Sequence, residues 1–125
     1  MSFNYFTVSE FACKCKNCQE QGGSGFNMNS KFVDRLDQAR GLAGCPFKIT
    51  SGYRCKEHNL QVSRVGSSHC KGLAVDIAYN GSRELYKILN SLIMVGFCRF
   101  GISKEGMFLH VDADIIKDQN VIWQY

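Results

Sequence analysis

The chain has 125 residues, 45% of them hydrophobic, which is the size of one domain and enough for one real core. Its formal net charge of +4 is scattered rather than blocked, so there is no basic stripe of the kind that grips nucleic acid; the charge suits solubility or a mildly anionic surface. No apolar run approaches the ~20 residues that cross a bilayer, so no membrane partner is expected.

Residues 1–6 show neither a basic nor an apolar leader region, so no secretory signal is expected there. Seven cysteines is an odd count, which with that opening points to reduced thiols. Their one dense cluster is Cys13-x-Cys15-x-x-Cys18. A structural zinc needs four ligands and only three sit together, so the favoured reading is small, half-buried loop residues.

Residues 7–12 predict a short helical turn capped by Thr7 or Ser9. The polar, Gly-rich stretch 19–27 predicts a surface loop too short to separate domains. Asn29 or Ser30 caps a helix whose apolar positions recur at helical spacing to Ala43, and Gly44 stops it. Residues 47–51 alternate and predict a strand; 55–65 predict a short helix or helical loop. A second strand covers 73–79, with Ala74, Asp76 and Ala78 on one face and Val75, Ile77 and Tyr79 on the other. Asn80-Gly81 turns the chain into a helix capped by Ser82 and ended by Gly96. Strands follow at 97–103 and 107–113, joined by a turn at 104–106, and residues 121–123 predict an edge strand. In the fourth strand Phe108, His110 and Asp112 share one face. Segregated helices and strands predict a single α+β domain spanning 1–125, with a mostly antiparallel sheet flanked by helices.

Asp76 faces away from the bulky apolar set of its strand, and a carboxylate there must be solvated, paired or metal-bound. His69 lies in the turn before that strand, and His110 lies in another strand on a face that meets Asp76 if the two are near neighbours. Two imidazoles and a carboxylate are a catalytic zinc set: three protein ligands with one position left for water. On spacing alone the duller readings stay open: a loop histidine, a satisfied half-buried histidine and a paired strand carboxylate. Cys70, next to His69, reads as a small packed residue.

Ser51-Gly52-Tyr53-Arg54, the run Ser67-x-His69-x-x-Gly72-x-Ala74-x-Asp76 and the late Phe108-x-His110-x-Asp112 closely resemble the zinc D-Ala-D-Ala carboxypeptidase and L-alanyl-D-glutamate endopeptidase family, the M15 peptidases. The opening Phe6-Thr7-Val8-Ser9-Glu10-Phe11-Ala12-Cys13-Lys14-Cys15 resembles one subgroup, so the resemblance runs from Phe6 to about Trp123. It implies a hedgehog/DD-peptidase-like fold and a zinc metallopeptidase that cuts an amide bond in peptidoglycan stem peptides. It implies zinc ligands at His69, Asp76 and His110, a substrate-carboxylate anchor at Arg54 and a pocket-lining hydroxyl at Ser67. A guanidinium suits that anchor because it grips a carboxylate with two parallel hydrogen bonds; the alternative is a structural ion pair. Asp112 either orients a zinc-bound histidine or faces solvent.

One departure stands out. Many members carry an acidic general base three residues before the last histidine, and here that residue is Met107. Glu105, in the preceding turn, is the nearest acidic candidate, with a plain surface glutamate as the alternative; His58 is a further polar residue near the motif. A monomer is expected, made in the cytoplasm because no leader region is seen, and the resemblance implies action on the cell wall after release or carriage on a virion, as in phage endolysins. The competing expectation is a non-catalytic zinc-containing module that binds wall peptides or a protein.

Overall fold

The computed structural model describes residues 3–16, 18, 25–57, 59 and 68–125, with only the backbone of Phe26. Among the described residues five strands form one sheet: β1 (Lys48–Ser51), β2 (Ala74–Ala78), β3 (Arg99–Ser103), β4 (Phe108–Asp112) and β5 (Val121–Gln124). Their spatial order is β1-β2-β4-β3-β5; the first three pairings are antiparallel and β5 runs parallel to β3. Among the described residues the two long helices are α1 (Ser30–Ala43) and α2 (Gly81–Met94), which pack on one another. The expected α+β architecture, mostly antiparallel, is what the chain adopts.

Local chemistry explains most of the boundaries. Asn29 caps α1, its Oδ1 accepting from Phe32 N at 2.9 Å, and Gly44 ends it in the left-handed region. α2 begins two residues earlier than Ser82 predicts: Asn80 is the cap, and Glu84 reaches back to accept from Asn80 N at 3.2 Å. Thr7 precedes a 3-10 turn, Val8–Phe11, and Glu10 closes it by accepting from Thr7 N at 2.7 Å. Met107 is not in β4 as expected. It sits in the turn at 104–107 with φ +51, and Ser103 Oγ caps that turn by accepting from Gly106 N. The expected helix at 55–65 lies largely outside the described residues.

The core occupies one side of the sheet. Val75 and Ile77 from β2, with Leu109 and Val111 from β4, are fully buried against Val33 and Leu36 of α1 and Ile88 and Leu92 of α2. Period-two alternation then leaves Asp76 and His110 on the other side. Among the described residues, no helix is long and apolar enough to cross a membrane.

Candidate metal centre

A single row of residues crosses the whole sheet. Ser51 pairs with Asp76, Asp76 with His110, His110 with Gly101, and Gly101 with Trp123. Adjacent β2 and β4 thus set Asp76 and His110 side by side. His69 comes from a 3-10 turn, Ser68–Lys71, that lies over this row. Gly72 lets that turn close: its φ is +71, and a Cβ there would stand 2.2 Å from Asn27 O, beside the bond from Asn29 N to Gly72 O. The His69 turn is thereby fastened to the start of α1.

One ligand atom from each of His69, Asp76 and His110 lies within 4.8 Å of the other two. His69 Nε2 is 3.4 Å and His110 Nδ1 3.0 Å from the same oxygen, Asp76 Oδ1. The other nitrogen of each ring is occupied. His69 Nδ1 pairs with Gly52 O at 2.8 Å, and His110 Nε2 with Asp112 Oδ2 at 2.7 Å. A carbonyl oxygen only accepts, so His69 Nδ1 carries the proton and its Nε2 lone pair faces inward. The carboxylate of Asp112 favours the matching arrangement at His110.

Two imidazole lone pairs then converge on a carboxylate oxygen. Such an arrangement is repulsive unless a proton or a cation stands between the atoms, and these donor types fit a zinc ion. His69 and His110 are buried, and Asp76 keeps a side-chain exposure of 16%. Burial pushes the Asp76 carboxyl up, but hydrogen bonds to His110 and then His69 outweigh it and hold the group well below the carboxylate range. Burial likewise favours neutral His110, and its bonds to Asp112 and Asp76 win, raising it.

Asp112 does not face solvent. It is 2% exposed, and its Oδ1 accepts from Arg99 Nε at 2.7 Å and from Asp114 N at 3.1 Å. Arg99 also donates to Asp118 O and lies under the Trp123 ring at 5.1 Å. Asp114, in turn, accepts from Ser68 Oγ at 2.8 Å and Lys71 Nζ at 2.9 Å, so the end of β4 holds the His69 turn from below.

Arg54 follows β1 and is half-buried; its backbone N donates to His69 O at 3.3 Å. Glu105 is exposed in the β3–β4 turn, and among the described residues no hydrogen bond or ion pair ties it to the cluster. Ser67 and His58 lie outside the described residues. The sequence reading missed two aromatic neighbours. Trp123 lies 5.5 Å from His110, ring to ring, and Tyr125 stacks on Phe108 at 5.4 Å. The phenol of Tyr125 is raised chiefly by desolvation, against a contact with Trp123, and the charges of Asp76 and Arg54 also act on it. The edge strand was expected, but nothing in its sequence says which side of the sheet it faces.

The family model for Peptidase M15 matches residues 4–112, and the chain belongs to that family. It is therefore a member of a peptidase family whose members are in general zinc-dependent. No curated protein matches the chain.

Proposed function

We propose that the chain is a zinc-dependent metallopeptidase that hydrolyses an amide bond in peptidoglycan stem peptides, of D-Ala-D-Ala carboxypeptidase or L-Ala-D-Glu endopeptidase type. His69, Asp76 and His110 would hold the ion. The observation that carries this reading is the convergence of two imidazole nitrogens on Asp76 Oδ1, with both outer nitrogens engaged. When bound, zinc supplies Lewis acidity, lowering the pKa of water to ~7 and polarising a carbonyl.

The chain's own residues do the rest. Arg54 grips a substrate carboxylate in a bidentate pair and fixes the peptide's register. Ser67 donates its hydroxyl to the same substrate. Glu105 takes the proton from the attacking water and returns it to the leaving amine. Trp123 forms an apolar wall beside His110 that limits water at the reacting carbonyl. A small lytic enzyme of this kind suits a phage endolysin, released to the wall or carried on a virion and acting as a monomer.

Purified protein supplied with zinc should release new amino groups from peptidoglycan, and His110→Ala should abolish the release. Met107 at the usual base position and the exposure of Glu105 favour a second reading, a zinc-containing module that binds wall peptides without cutting them. Wall binding with no amino-group release from the wild type would select that module.

A further inference from the structure

We propose that Cys13, Cys15, Cys18 and Cys55 form a second metal centre, a structural zinc site with four thiolate ligands. The proposal does not depend on the peptidase reading. Chain order hides the site, because Cys55 lies 37 positions beyond Cys18 in the sequence. The fold brings it back, and the four sulfurs all lie within 4.8 Å of one another.

The spacing between the sulfurs is the argument. Cys13 Sγ is 3.8 Å and Cys15 Sγ 3.6 Å from Cys55 Sγ. The edge of a ZnS4 tetrahedron with bonds of ~2.3 Å is ~3.8 Å, whereas a disulfide brings its sulfurs to ~2.05 Å. Among the described residues no disulfide is formed. Two backbone amides already point at sulfur, Cys18 N at Cys15 Sγ (3.4 Å) and Cys55 N at Cys13 Sγ (3.5 Å), which is the support that a thiolate requires.

The ligand set is complete at four protein groups, with no position left for water, so the site is structural rather than catalytic. Soft sulfur donors in a tetrahedron select zinc over magnesium or calcium. A four-thiolate zinc carries two net negative charges, and Lys14, Lys16, Arg54 and Lys56 flank the ligands in sequence. The site joins the N-terminal segment to the residue beside Arg54. Phe11 O accepts from Tyr53 N at 2.8 Å and His69 O from Arg54 N at 3.3 Å, so the same clamp steadies the loop that leads to the first centre.

The two centres can be counted separately. Protein purified under reducing conditions with zinc should hold two ions per chain by elemental analysis. His69→Ala/His110→Ala should keep one, and X-ray absorption at its zinc edge should show four sulfurs at about 2.3 Å. Cys15→Ser/Cys18→Ser should lose that ion while the His–Asp–His ion stays; should this variant fail to fold, the absorption spectrum of the histidine variant decides alone. A metal-free histidine variant, zinc bound to it through nitrogen or oxygen, or iron in its place would overturn the proposal.

Discussion

His110 Nε2 lies 2.7 Å from Asp112 Oδ2, and the other oxygen of that carboxylate is held by Arg99 Nε at the same distance. The pair sits two residues apart on one strand and one face, so a single strand carries both the imidazole and the group that fixes its tautomer. Burial pushes the Asp112 carboxyl up, and bonds to His110 and Arg99 outweigh it, keeping it ionised.

Asp112→Asn should therefore weaken zinc binding at the first centre by about 10–100-fold while leaving the chain folded. Competition with a chelator of known affinity measures this. An unchanged affinity would mean that Asp112 serves only to hold Arg99.

Arg54→Lys keeps the charge and removes the planar fork. If Arg54 anchors a substrate carboxylate, kcat/KM should fall by about 10–150-fold, the equivalent of the ~1.5–3 kcal/mol of a charged hydrogen bond. The loss should vanish for a substrate whose carboxylate is amidated. An equal loss on both substrates would assign Arg54 a structural part.

Glu105→Gln removes a carboxylate that contacts nothing in the cluster among the described residues. As general base its loss should cost about 10²–10⁴-fold in kcat and abolish the acid limb of the pH–rate profile, with KM little changed. Full activity in this variant would release Glu105 from the mechanism.

Gly101→Ala tests the cross-sheet row. An added Cβ would stand 2.4 Å from Trp123 Nε1 and 2.6 Å from its Cε2, both part of a rigid ring. The ring must leave His110 and Arg99, which should destabilise the fold by about 1–3 kcal/mol and red-shift the emission of Trp123, the only tryptophan in the chain. Denaturant titration and fluorescence read both effects.

Asp114 supplies a pH dependence. Burial pushes its carboxyl up, but bonds from Lys71 and Ser68 outweigh that and hold it below the ordinary value. A group depressed on folding contributes stability that is complete above its unfolded value of about 3.9 and disappears as pH falls through the folded value. Asp114→Asn should thus be less stable than the wild type at neutral pH, and the gap should close as the pH is taken below about 4. A gap independent of pH would show that lost packing, not lost charge, is responsible.

Much of this architecture was legible in the sequence because it rests on local rules. Alternation put Asp76 and His110 on the polar side of their strands, and the Asn29 and Gly44 signals bounded α1 correctly. What the sequence hid depends on long-range pairing. No spacing rule tells that β5 joins β3 in parallel and turns Trp123 toward His110, or that Cys55 returns to the Cys13–Cys18 loop. Met107 was misread as strand because its side chain fits the β4 pattern, whereas the turn demands a positive φ there.

The bond from Tyr53 N to Phe11 O has a practical consequence for anyone who trims this protein. Phe11 is also sealed into the core, stacked edge-on against Phe6. A shortened version beginning at α1 would retain His69, Asp76 and His110 yet lose the brace behind the loop that presents Arg54. Grafting His69, Asp76 and His110 as a cassette into another scaffold would fail for the same reason: Phe6 and Phe11 are part of the foundation on which that cluster stands.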